Sequence, residues 1–182
     1  MRAPAVVRGT RQVLAALMLV ALSACGGEEG GRSAFGRLAV GDAAPEFSAA
    51  TLNGDTVSLA SLRGSPVMLN IWATWCLPCR DEMPGLEALH REYGDEGLRV
   101  VGVSIDAGAA REGVEAFLDD FDVTFTILHD PSERVTRAFR SMGVPETYLI
   151  DRDGVIAYRW IGKFDPQAEG TIRRVRETLE TS

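Results

Sequence analysis

Val67-Met68-Leu69-Asn70-Ile71-Trp72-Ala73-Thr74-Trp75-Cys76-Leu77-Pro78-Cys79 is the stretch on which the reading of this chain turns. From Val67 to Trp72 every position but Asn70 is apolar, the pattern of a strand covered on both faces. From Leu77 to Tyr93 the pattern turns helical, so two cysteines three apart stand where a buried strand runs into a helix. The first amides of a helix lack partners and its dipole is positive there. Both effects favour a thiolate, and so a nucleophile, at Cys76. Cys79, one turn further in, is sterically protected and placed to resolve a mixed disulfide formed at Cys76. Pro78 suits the first turn, where its missing amide has no partner. The same pair is also compatible with half of a zinc site or a structural disulfide. Zinc needs two further ligands, and apart from Cys25 the chain offers only His90, His129 and carboxylates, so the reading calls for no metal and no cofactor.

Working outward, strand and helix signals alternate. Val57 and Leu59 after Asn53-Gly54-Asp55 suggest an N-terminal hairpin with an Asn-Gly turn of positive φ. Val100 to Ile105 reads as a second buried strand and Thr126 to Leu128 as a short third one. Val114, Phe117, Leu118 and Phe121 recur at helical spacing, as do Val135, Ala138, Phe139 and Met142. Asp130-Pro131 is expected to open the second of these helices, with the proline in its first turn. Thr147 to Ile150 and Val155 to Trp160 flank Asp151-Arg152-Asp153-Gly154, a hairpin signal, and Asp165-Pro166 is expected to start a last helix with Ile172, Val175 and Leu179 on one face. This order predicts an α/β sandwich around a mixed sheet, with Trp72, Phe117, Phe121, Phe125 and Phe139 in its core.

The chain has 182 residues, 46% apolar and 25% charged, with a mean hydropathy of zero. That is an ordinary globular composition of one domain with an appendage, which argues against a polytopic membrane protein, a disordered tail or a collagen-like fibre. The formal charge is -7 and the basic residues do not cluster, which argues against a nucleic-acid partner. There are three cysteines, an odd count that fits no disulfide framework.

Position explains the third. Arg2, Arg8 and Arg11 precede Val13 to Leu22, an apolar run too short to cross a bilayer of roughly 30 Å and of the kind found in secretory signals. Leu22-Ser23-Ala24-Cys25, followed by Gly26-Gly27-Glu28-Glu29, resembles a bacterial lipobox. The resemblance implies cleavage before Cys25, lipidation of its sulfur and amine, and a flexible linker over 25–37. Residues 1–24 would then be a signal peptide and 38–182 the folded domain. Losing three arginines and no acid takes the formal charge to -10. The alternative is an uncleaved or plain secretory signal with Cys25 a bystander.

Ile71-Trp72-Ala73-Thr74-Trp75-Cys76-Leu77-Pro78-Cys79-Arg80-Asp81-Glu82-Met83-Pro84, with the opening Gly41-Asp42-Ala43-Ala44-Pro45-Glu46-Phe47 and the later Gly143-Val144-Pro145-Glu146-Thr147, resembles the TlpA/ResA-like (redoxin) branch of the thioredoxin superfamily in its membrane-tethered form. The resemblance implies a thioredoxin fold with an added N-terminal β-hairpin and a central insertion. It also implies an extracytoplasmic thiol-disulfide oxidoreductase, with many relatives acting as reductants, including of apocytochrome c thiols. The implied partners are cysteine-containing protein substrates and an upstream membrane thiol-disulfide electron donor.

Asn70 stands where thioredoxins carry a buried aspartate that assists proton transfer, and Glu82 is the candidate replacement. Residues 82, 86, 89 and 93 trace one helix face whose other members are Leu86, Leu89 and Tyr93, so a carboxylate there is desolvated and suited to taking the proton of Cys79. The plain alternative is an acid favoured by the helix dipole. The family places a cis proline at Pro145, facing the disulfide, so that the backbone of Val144 pairs with an extended substrate. Trp75, Val144 and Glu146 are the implied substrate contacts, although Glu146 also reads as an ordinary surface charge. Pro84 is expected to kink the active-site helix.

Three rivals share parts of this pattern. A peroxiredoxin needs proline and threonine or serine where Leu69 and Ala73 precede Cys76. A copper-delivery protein needs a converging histidine and wider cysteine spacing, and His129 ends a short strand. A thiol-based Cu(I)-binding module remains the non-enzymatic alternative, and a disulfide-forming oxidant with the same dithiol the catalytic one.

Overall fold

The computed structural model describes residues 36–108 and 111–181. The signal-like run and Cys25 lie outside the described residues. Among these, no helix is long and apolar enough to cross a membrane.

The six residues of β3 (Val67–Trp72) are all buried, as a run apolar at every position but Asn70 leads one to expect. The strand is central to a seven-stranded sheet whose other members are β1 (Ser48–Thr51), β2 (Thr56–Ser58), β4 (Arg99–Ser104), β5 (Thr126–His129), β6 (Glu146–Ile150) and β7 (Ile156–Ile161), in the order β2-β1-β5-β4-β3-β6-β7. β3, β4 and β5 are parallel; β1, β2, β6 and β7 join antiparallel to their neighbours. Helices α1 (Leu77–Tyr93) and α2 (Arg111–Asp120) make the two parallel crossovers, α3 (Arg134–Phe139) leads to β6, and α4 (Glu169–Glu180) closes the chain. This is the mixed sheet flanked by helices expected from the sequence, with the N-terminal hairpin β1-β2 added at one edge beside β5.

The β3 and α1 boundaries match the sequence reading, and the elements that differ do so for local reasons. The first hairpin turns through Gly54 alone, at φ 95°, and its loop is closed by the Thr51 amide donating to the Asp55 carbonyl at 2.7 Å. The second turns on Gly154 at φ 79°, with Asp151 Oδ1 accepting from the amides of Asp153 and Val155. Asp130-Pro131 lies in a turn before α3, not in its first turn. The buried Asp130 reaches forward instead, accepting from the Val135 amide at 2.7 Å and from Arg134 Nε at 2.9 Å. Arg140, left-handed at φ 50°, ends α3 before Met142, which is exposed rather than core-facing. Asp165-Pro166 likewise precedes α4 by a turn. Phe121 falls just beyond α2 and is half-buried, its ring tilted against Phe117 with centroids 4.8 Å apart, while Trp72, Phe117, Phe125 and Phe139 are core.

Candidate active site

β3 and β6 are antiparallel, with Ile71 paired to Glu146. The residues leaving β3 and the residue entering β6 therefore emerge at the same end of the sheet, which brings Ala73 to Cys76 beside Pro145. Cys76 is the N-cap of α1, and it forms a disulfide with Cys79 across a Cα separation of 5.3 Å. The Cys79 amide donates to Cys76 Sγ at 3.2 Å while also reaching the Cys76 carbonyl at 3.1 Å, so a helix-start donor faces that sulfur and is placed to stabilise charge on it. Cys79 is wholly buried and Cys76 retains a little surface, which makes Cys76 the sulfur an incoming partner meets.

The loop before Cys76 is held by Asp106, two residues beyond β4. Its buried carboxylate accepts from the Thr74 amide at 3.0 Å, from Thr74 Oγ1 at 2.6 Å and from Ser104 Oγ at 2.8 Å. Sequence reasoning did not single out Asp106. Its position just past the carboxyl end of a buried strand, where α/β sheets place their sites, was the available signal.

Glu82 lies one turn beyond Cys79 on the face it shares with Leu86, Leu89 and Tyr93, and all four side chains are buried. Its carboxyl is raised from 4.5 to about 7: burial lifts it most, the Phe164 amide, Asn70 and Lys163 pull against that, and Asp81 adds an upward push. The Phe164 amide donates to Oε1 at 2.9 Å and Asn70 Nδ2 to Oε2 at 3.4 Å, while Asn70 Nδ2 also donates to Thr147 Oγ1 at 2.8 Å. Asn70 is thus a buried partner of Glu82 and not a titrating group itself. Lys163 and Asp81 form an exposed ion pair at 2.6 Å beside it. Neither Lys163 nor the Phe164 amide carries a sequence signal for this role.

The Val144–Pro145 peptide bond is cis, and the Pro145 carbonyl accepts from the Gly162 amide at 3.0 Å. Trp75 is exposed, and so are Leu77, Met142 and Ile161. Trp75 and Leu77 flank Cys76, Met142 precedes Pro145 by three residues, and Ile161 is paired with Glu146. Chain position and register thus put these four exposed apolar residues toward the disulfide end of the sheet; Leu77, Met142 and Ile161 were not singled out from sequence.

Glu146 is not a surface charge. Its carboxylate is buried, accepting from Tyr148 Oη at 2.7 Å and Arg159 Nε at 2.6 Å. Burial and the neighbouring Glu146 together push the Tyr148 phenol up. The side chain expected to touch substrate is thus committed to an internal ion pair. His129 ends β5, an interior strand between β1 and β4, with Nε2 2.9 Å from the Asp106 carbonyl, and α1 runs on as one helix through Pro84.

Residues 40–159 match the AhpC/TSA family. The chain is 45% identical over 117 residues to the thioredoxin-like protein YneN of Bacillus subtilis, spanning 64% of this chain and 68% of that protein. It is 40% identical over 121 residues to the thiol-disulfide oxidoreductase ResA of Oceanobacillus iheyensis, spanning 64% of this chain and 62% of that one. A crystal structure from Chlorobium tepidum, assigned as a thiol:disulfide interchange protein DsbE, superposes with a TM-score of 0.72 at 32% identity, over 78% of this chain and 99% of that one. The chain belongs to the AhpC/TSA family, as a thioredoxin-fold thiol-disulfide oxidoreductase with Cys76 and Cys79 as its cysteine pair.

Proposed function

We propose that this oxidoreductase is an extracytoplasmic reductant of protein disulfides, lipid-anchored through Cys25, whose domain over 38–182 works at the bacterial cell envelope. The observation that carries the catalytic part is the order of groups along one helix start: Cys76 at the mouth, Cys79 buried behind it, and Glu82 buried one turn further on. The tether rests on the lipobox resemblance, and the reductive direction on the resemblance to the TlpA/ResA-like branch.

In the reduced protein the Cys76 thiolate attacks one sulfur of a substrate disulfide. A Cys76–substrate bond forms, and the other substrate sulfur leaves as a thiolate. Cys79 then gives its proton to the Glu82 carboxylate and attacks Cys76 Sγ, closing the Cys76–Cys79 disulfide and expelling the second substrate thiolate. Two electrons pass to the substrate, whose thiolates take up one proton from Glu82 and one from water. The upstream membrane dithiol donor runs the same steps in reverse to restore the pair. Trp75, Val144 and cis-Pro145 receive an extended polypeptide, and the exposed apolar residues toward this end of the sheet suit an unfolded substrate such as an apocytochrome c before haem attachment. Glu146 acts indirectly, by fixing the start of β6.

Two measurements test this. Cys79→Ser should accumulate a mixed disulfide with an oxidised cysteine-containing peptide while Cys76→Ser does not; the reverse pattern overturns the assignment of roles. A reduction potential near or below roughly -270 mV supports electron delivery, whereas one near about -120 mV reverses the direction.

A further inference from the structure

The segment between β7 and α4 touches the site at more points than a connecting loop needs. The Gly162 amide bonds the Pro145 carbonyl, Lys163 pairs with Asp81 and the Phe164 amide bonds Glu82. Gln167 Nε2 then donates to the Gly85 carbonyl at 3.0 Å, one turn further along α1. The Phe164 ring is itself held, stacked on Trp160 with centroids 4.8 Å apart. Between these ties Pro166 is buried against the helix at Gly85. A Cβ on residue 85 would lie 2.9, 3.0 and 3.1 Å from Cγ, Cβ and Cδ of Pro166, the first closer than real Cβ contacts come and the other two tighter than most, so the ring would have to shift. Glycine is a poor residue for a helix interior, and this contact supplies the reason for one here.

We propose that residues 162–167 form a strap whose seating of Pro166 on Gly85 fixes the Phe164 amide against the Glu82 carboxylate, making Gly85 and Pro166 positioning residues for proton transfer at the disulfide. The proposal rests on the reading that Glu82 receives the Cys79 proton. The groups acting on Glu82 are Asp81 on α1, Lys163 and the Phe164 amide on the strap and Asn70 on β3, with Thr147 on β6 behind Asn70; Cys79 stands one turn earlier on α1. A methyl group at residue 85 lifts the strap, and Glu82 loses a hydrogen bond that favours its charged form. The pH above which it accepts a proton then rises by about one unit.

The test compares the wild type, Gly85→Ala, Gly85→Ala/Pro166→Gly and Glu82→Gln. The rate at which each reduced protein cleaves a small aromatic disulfide is followed from about pH 5 to about pH 9, and the Glu82 carboxyl is titrated by carbon NMR in the oxidised proteins. Gly85→Ala should move both midpoints up by about one unit at little cost to the high-pH plateau rate, and removing the Pro166 ring in that background should bring them back. Unmoved midpoints in Gly85→Ala, or midpoints that stay shifted in the double variant, overturn the strap. A destabilised but correctly seated protein lowers the melting temperature without moving either midpoint, so it too counts against the proposal. Should Gly85→Ala not fold, Gln167→Leu cuts the tie to the Gly85 carbonyl from an exposed position. It should shift the carboxyl titration in the same direction, and no shift overturns the proposal. If Glu82→Gln keeps the wild-type rate midpoint, the proton-transfer reading fails, while the carboxyl titration still judges the strap.

Discussion

Glu82→Gln separates what the buried carboxylate costs the fold from what it does in exchange. In the folded protein its carboxyl stands at about 7, because burial outweighs its hydrogen bonds to the Phe164 amide and Asn70. In the unfolded chain it titrates near the ordinary 4.5. Between those values the folded state keeps a proton that the unfolded state has released, so the linkage sign is that of a raised acid. The contribution to stability is complete below about pH 4.5 and is lost as the pH rises through about 7. A difference of roughly 2.5 pH units at about 1.36 kcal/mol each sets a ceiling of about 3 kcal/mol, and any water reaching the carboxylate lowers it.

Glutamine keeps the shape and cannot ionise. Its oxygen can accept the Phe164 amide, and its NH2 can meet Asn70, whose Oδ1 has no hydrogen-bond partner and can turn to accept. The assay is urea unfolding of the oxidised proteins, in which neither cysteine of the pair titrates. The variant and the wild type should be of similar stability near about pH 4.5. At about pH 8.5 the variant should be the more stable by 1 to about 3 kcal/mol, since every other group titrates alike in both. Parallel stability curves across that range would refute the raised carboxyl and, with it, the argument that Glu82 is primed to take a proton near neutrality. Disulfide exchange should move the opposite way, the variant being slower wherever the wild type has an ionised Glu82.

Asp106→Ala leaves the Thr74 amide and two hydroxyls without their acceptor, and should cost about 2–4 kcal/mol in urea unfolding while slowing disulfide exchange, with Asp106→Asn milder on both counts. Burial opposes ionisation of Glu87, but the Thr124 hydroxyl and amide and Arg91 outweigh it and hold the carboxyl below its usual range. Its contribution is therefore present above about pH 4.5 and lost as the pH falls, so Glu87→Gln should destabilise by about 1–2 kcal/mol near neutrality and by less in acid. Arg159→Met strands the buried Glu146 carboxylate and should cost about 3–5 kcal/mol, much of it recovered when Glu146→Gln is added; a double variant no better than the single one would count against a buried ion pair.

The parts of this molecule legible in its sequence are those whose cause lies within a few residues. β3 is buried along its whole length because it is apolar at every position but Asn70, and Glu82 is buried because its neighbours at 86, 89 and 93 are. A helical pattern cannot say where the backbone leaves the helix. The spacing from Val135 to Met142 therefore ran past the left-handed Arg140, and Met142 emerged on the rim of the site instead of in the core. Other roles are set by partners far along the chain. Asp106 answers to Thr74, 32 residues away, Glu146 is drawn inward by Arg159 on the neighbouring strand, and Gly85 is explained only by Pro166. Glu82 joins the two classes. An acid on an apolar helix face fixes the direction in which its carboxyl moves, and the helix alone carries that information. How far it moves is set by the depth of burial less the pull of the Phe164 amide and Asn70, which the strap and β3 bring from 82 and 12 residues away. The sign of the proton-transfer group is thus local, its magnitude is tertiary, and variants in the strap can tune the chemistry without touching the helix that bears it.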